Sequence, residues 1–60
     1  MSQECKELII LVVEDEVKAR DSMINILSER FSKVIGAQNG DEGLIKFKKF
    51  KPDLVITVIA

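Results

Sequence analysis

The run Leu8-Ile9-Ile10-Leu11-Val12-Val13 constrains this chain more than any other feature. Its length and its β-branched content favour a strand over a helix. A strand with one wet face alternates apolar and polar side chains. This one does not alternate, so both its faces are expected to be buried. That is the pattern of a central strand in a parallel α/β sheet, where helices cover both sides. Glu14-Asp15-Glu16 then ends the run abruptly.

The residues that follow supply the covering helices and the flanking strands. From Val17 to about Arg30, Val17, Met23, Ile24 and Leu27 recur at helical spacing, with Ala19 and Ile26 widening the stripe. Lys18, Asp21, Asn25 and Ser28 are left to face water. The acids at the start of this helix suit the positive end of its dipole. Phe31-Ser32 is a short connection. Lys33-Val34-Ile35-Gly36-Ala37 reads as a second, shorter strand. Gln38-Asn39-Gly40 is a loop in which Asn39 is the expected cap of the next helix. That helix runs from about Gly40 to Lys49 or Phe50. Asp41 and Glu42 occupy its first turn, and Lys46, Lys48, Lys49 and Lys51 gather toward its end, both groups matching the dipole. Leu44, Phe47 and Phe50 form its expected buried stripe, and Pro52 is expected to stop it. Leu54-Val55-Ile56-Thr57-Val58-Ile59-Ala60 is a third strand.

The order is β-α-β-α-β, which implies parallel strands joined by right-handed crossovers. A strand order of 2-1-3 gives the first strand a neighbour on each side and puts the two helices on opposite faces. The order 1-2-3 would bury the short second strand centrally, which the sequence supports less well.

Size limits what such a unit can do alone. A chain of 60 residues buries only about 60% of the surface its unfolded form exposes. Folds this small usually need a disulfide, a metal or a partner chain. Cys5 is the sole cysteine, so no internal disulfide forms. It lies in a polar segment, residues 1–7, expected to be frayed, and reads as an inert free thiol suited to a reducing cytoplasm. The sequence has no histidine, tryptophan or tyrosine. That removes histidine acid–base catalysis, Ser-His-Asp triads and histidine metal sites. Nine basic and ten acidic residues leave a net charge of −1, which gives no electrostatic reason to expect nucleic acid as a partner. No apolar run reaches the roughly 18 residues of a membrane span. No signal-peptide pattern opens the chain, and a cytoplasmic location is the default expectation.

Two features invite a functional reading. Glu14, Asp15 and Glu16 follow the first strand, and ligands in open α/β sheets sit at the carboxyl ends of strands. Adjacent carboxylates there could hold a hard divalent cation such as Mg²⁺. They could equally be a solvated strand end that caps a helix, and the local residues leave both readings open. Gly36, Gly40 and Gly43 are spaced G-x-x-x-G-x-x-G, which is neither the dinucleotide fingerprint nor a P-loop. Gly40 is accounted for by a turn and cap. Gly43, inside the predicted helix, costs roughly 0.8–1 kcal/mol against alanine, a cost that close packing would offset. The lysines from 46 to 51 read as a helix end rather than an anion site.

Taken together, Ile10-Leu11-Val12-Val13-Glu14-Asp15-Glu16, then Asn39-Gly40-Asp41-Glu42-Gly43-Leu44, then Pro52-Asp53-Leu54-Val55-Ile56-Thr57 resemble the response-regulator receiver (CheY-like) family. The resemblance covers nearly all of the chain after residue 7, with three motifs in the right order and at the right gaps. It implies residues 8–60 as half of a flavodoxin-like, doubly wound parallel sheet, in strand order 2-1-3. It implies a place in two-component phosphorelay signalling, in which a histidine kinase passes a phosphoryl group to a receiver aspartate with Mg²⁺ present. Glu14 and Asp15 fall on the family's acidic pair, which helps hold that Mg²⁺.

The chain departs from the family in two ways. The phosphate-accepting aspartate is replaced by Val58, whose isopropyl group can neither attack phosphorus nor ligate a metal. The sequence also stops at Ala60, before the strands and helices that would carry the family's switch Ser/Thr and its phosphate-contacting lysine. A truncated receiver that performs no phosphotransfer, is not an enzyme, and binds Mg²⁺ weakly or not at all is therefore expected. An altered site joined to a stop at a strand end is expected of a designed fragment more than of a natural gene product. With strand order 2-1-3 the third strand is a sheet edge. Leu54, Val55, Ile56, Thr57, Val58, Ile59 and Ala60 then form an apolar, uncharged edge that can template pairing with another chain. A homodimer is expected, by edge pairing or by swapping of elements. The alternative is a binding module that docks a histidine kinase through the first helix, roughly Val17 to Leu27, which in the family lies near the kinase-contacting surface.

Overall fold

In a computed structural model, which describes residues 8–58, the unbroken apolar run becomes the central strand β1 (Ile9–Val13). Strand β2 (Lys33–Ala37) pairs along one edge of β1 and β3 (Leu54–Thr57) along the other, both parallel to it. The sheet order is β2-β1-β3. Helix α1 (Val17–Ser28) links the first two strands and helix α2 (Gly40–Phe50) links β2 to β3. The register sets Val12 opposite both Gly36 and Ile56.

Adjacent residues on β2 show that the helices lie on opposite faces. A Cβ added to Gly36 would meet Ile24 and Arg20 of α1. The next residue, Ala37, and its partner Val13 face Gly43 of α2. Successive strand residues point to opposite sides, so β1 is covered from above and below. Ile10, Leu11 and Val12 are consequently 1% exposed or less.

Local signals fix the element ends. Asn39 Oδ1 accepts the Glu42 N–H at 2.8 Å and caps α2. Asp41 and Glu42 occupy the first turn, and Lys48 and Lys49 the last. The helix closes on Lys51, whose φ of 51° is left-handed and whose N–H donates to the Phe47 carbonyl. Termination thus falls one residue before Pro52. Asp53 then clasps the start of β1. Its N–H donates to the Ile9 carbonyl at 2.8 Å, and its carboxylate accepts the Ile9 N–H at 2.9 Å.

The helical stripes differ from the sequence expectation. On α1 the half-buried residues are Ala19, Arg20, Met23, Ile24 and Leu27, and none is fully buried. Val17 and Ile26 flank this stripe about a quarter turn to either side of its centre, and both are exposed. On α2 only Gly43 is buried, while Leu44 and Phe47 are 55% and 46% exposed. The cause is where the helices sit. Both α1 and α2 pack over β1 and β2, and neither packs over β3. Leu44 and Phe47 therefore overhang the uncovered strand instead of entering a core. The acids expected at the start of α1 precede the helix, whose first turn contains none. Cys5 and residues 1–7, with Ile59 and Ala60, lie outside the described residues.

Gly43 occupies the closest approach of α2 to the sheet, where an added Cβ would stand 2.9 Å from Val13 Cγ2. Valine is stiff at χ1 and cannot turn aside cheaply. Gly43→Ala should therefore lower stability by about 1 kcal/mol in urea unfolding, because overpacking of about 1–3 kcal/mol outweighs a propensity gain of about 1 kcal/mol. In a Val13→Ala chain the same substitution should stabilise. A Gly43→Ala chain more stable than its parent would show that the contact is not tight.

Candidate functional site

The carboxyl ends of the three strands meet at one rim of the sheet. The Glu14 N–H donates to the Ala37 carbonyl at 3.0 Å, tying the end of β1 to β2. The Val58 N–H donates to the Val13 carbonyl at 3.1 Å, tying the end of β3 to β1. Parallel pairing therefore brings Val58 beside the β1 turn that carries Glu14 and Asp15.

The three acids of that turn have unlike environments. Glu14 is 5% exposed, whereas Asp15 and Glu16 are exposed. The Glu14 carboxylate turns back on its own loop, where Oε2 accepts the Glu16 N–H at 3.0 Å. A carboxylate bonding an amide two residues on stabilises a tight turn, as aspartate does in Asx turns. The Glu14 carbonyl accepts from Arg20 Nη1 at 2.8 Å. All three polar parts of Glu14 are thus engaged within the protein. Glu14 is thus a structural acceptor, and Asp15 and Glu16 are the carboxylates left facing solvent.

Two further side chains shape the site and its surroundings. Arg20 brings a guanidinium to the acidic rim, where it opposes binding of another cation. Lys46 Nζ donates to the Gly36 carbonyl at 2.7 Å, away from the helix-end cluster. Arg20 is not singled out by the sequence, and Lys46 reads there only as one of the lysines toward the helix end. A signal for Arg20 exists, since it stands among Ala19, Met23 and Ile24 on the inward stripe. Lys46 depends on which way the Gly36 carbonyl turns, and that requires the strand register.

A divalent cation of the kind the receiver resemblance implies takes several oxygen ligands. Here the available set is Asp15, the free oxygen of Glu14 and an apolar side chain at Val58, with Arg20 nearby. These residues do not fit such an ion well. Among the described residues no three His, Cys, Asp or Glu side chains come together as a metal-holding group.

A second concave feature lies on the α2 face. Leu11, Val13, Leu44, Phe47, Val55 and Thr57 line an open apolar groove of about 240 Å³ above β3. That is below the roughly 300–1,000 Å³ of small-molecule sites, and no ionisable group lines it. The exposed side chains of Leu54, Val55 and Val58 continue this apolar surface around the strand. No helix among the described residues is long and apolar enough to cross a membrane. Comparisons with protein-family models, with curated proteins and with solved structures return no match to this chain.

If position 58 faces the acids of the rim, Val58→Asp should tighten Mg²⁺ binding at least about tenfold, or roughly 1.4 kcal/mol. Amide chemical shifts at Glu14 and Asp15 during Mg²⁺ titration would read this out. Equal affinities for the two chains would place residue 58 outside ligand reach of the acids.

Proposed function

We propose that this chain is a receiver-type half domain, flavodoxin-like in topology, that performs no phosphotransfer and acts by self-association. One observation carries the proposal: β3 is an uncharged strand, followed by Val58, over which neither helix packs. The parallel 2-1-3 sheet with helices on both sides, and the acidic turn after β1, support the receiver comparison. Val58 at the strand end supports the absence of phosphotransfer, because its side chain offers no nucleophile beside Glu14 and Asp15. Leu54, Val55 and Val58 on β3, with Leu44 and Phe47 overhanging it, offer apolar surface that burial against a second copy would stabilise at about 25 cal/mol per Å².

Docking of a histidine kinase through α1 gains less support. The exposed apolar residues of that helix, Val17 and Ile26, project on opposite sides and do not form one patch.

Sedimentation equilibrium over a wide concentration range, with far-UV circular dichroism on the same samples, tests the proposal. A discrete dimer with mixed helix and strand signal is expected, together with no uptake of label from a small-molecule phosphodonor. A folded chain that stays monomeric at high concentration would refute self-association. Label uptake would refute the assignment of Val58.

A further inference from the structure

The two edges of the sheet are not equally available. Ala37 turns its carbonyl to β1, where it accepts from Glu14 N–H. Backbone groups alternate along a parallel ladder, so Gly36 and Gln38 turn theirs to the outer edge of β2. Both positions are filled from α2. Lys46 Nζ donates to the Gly36 carbonyl at 2.7 Å, and Glu42 Oε1 accepts the Gln38 N–H at 2.7 Å. A 3.7 Å ion pair between Lys46 and Glu42 holds the two side chains together. Two outward groups at the carboxyl end of the β2 edge are thus held by side chains of its own chain, which form a partial latch.

The β3 edge has no latch. Val58 donates inward to Val13, so Ile56 also faces β1, and Val55 and Thr57 turn amide and carbonyl outward. Among the described residues no side chain bonds those outward groups. No charge interrupts the strand from Leu54 to Val58, so the lysine or inward charge that often protects such an edge is missing.

Building on the self-association proposed above, we infer that a second copy of this chain pairs with β3 edge to edge, antiparallel, about a two-fold axis at Ile56. Direction follows from symmetry. Two identical parallel strands must slip by one residue before their groups meet, and a rotation combined with a slip does not close. An antiparallel pair closes on a two-fold axis. Register follows from the outward groups. With the axis at Ile56, Val55 faces the second copy's Thr57 and Thr57 faces its Val55, giving roughly four inter-strand hydrogen bonds. Leu54 then faces the second copy's Val58, and no charge opposes a like charge. Because each β2 edge is latched, assembly stops at two copies, whose three-stranded sheets join into one continuous sheet.

The test is oxidative cross-linking in a Cys5→Ser chain. Ile56→Cys places the two Cα atoms about 4.5 Å apart in a non-hydrogen-bonded pair, inside the roughly 4.4–6.8 Å that a disulfide spans. Thr57→Cys leaves them about 8–9 Å apart, beyond that span. A covalent dimer from Ile56→Cys and none from Thr57→Cys is expected. Preferential cross-linking at 57, or cross-linking at neither position in a chain that sediments as a dimer, overturns edge pairing and leaves self-association standing. A monomeric unmodified chain refutes the self-association reading and this pairing with it. Amide exchange on the unmodified chain needs no substitution. The Val55 and Thr57 amides should slow by about tenfold or more as concentration passes the dimerisation range, and unchanged exchange in a dimeric sample overturns the pairing. Lys46→Met should yield species larger than two copies where the parent stops at two, and a variant that stops at two overturns the latch.

Discussion

Everything in this fold hangs on the double enclosure of β1. A buried strand has to place every amide and carbonyl it carries, and β1 does so through parallel ladders on both edges. The strand is also pinned at its two ends. Asp53 holds the Ile9 amide and carbonyl at the start, and Ala37 accepts from Glu14 just past the other end. The side chains of Ile10, Leu11 and Val12 then need cover on both faces, which α1 and α2 provide. Both helices serve the β1–β2 half of the sheet. The third strand is held by its ladder to β1 and by the Asp53 clasp, and gains no helix on either face. Among the described residues, the exposed apolar side chains of Leu44, Phe47, Leu54, Val55 and Val58 therefore gather at β3, while Val17, Ile26 and Ile45 are exposed singly on the helices.

The same asymmetry explains what the sequence reveals and what it conceals. Strand order and helix placement are legible because an unbroken run such as Leu8 to Val13 fits only a strand buried on both sides. The cap at Asn39 is legible because its chemistry is local. Leu44 and Phe47 are misread as core because helical spacing shows that residues share a face and says nothing of whether anything covers it. Val17 and Ile26 fail for a related reason, since one belongs to the stripe and the other widens it on paper, but both flank the line of contact in space. Lys46 and Glu42 read as ordinary helix charges. Their bonds to β2 depend on Gly36 and Gln38 turning outward, which follows from register and cannot be seen along the chain.

Glu14 shows how a site reading and a structural reading can occupy one residue. The acidic run was legible as a rim feature, because acids after a buried strand must lie where the sheet ends. Which acid turns inward was not. The answer depends on the short turn into α1, where the Glu14 carboxylate takes up the Glu16 amide and the Arg20 guanidinium takes the Glu14 carbonyl. That arrangement leaves Asp15 and Glu16 as the accessible carboxylates and sets a guanidinium on the backbone of the same turn. A rim of this composition organises a turn better than it gathers a metal ion.

Val58 links the rim to the edge. A carboxylate at that position would add a charge where Glu14 and Asp15 already stand, and the same charge would sit at the end of an open strand. Charges on edge strands are a common means of preventing unwanted pairing. Valine brings no charge to either place, and its β-branched side chain favours the extended conformation that pairing requires. The composition of the rim and the character of the β3 edge therefore meet in one side chain. On the proposed reading, self-association would draw on this uncharged edge, while α2 engages the opposite edge through Lys46 and Glu42.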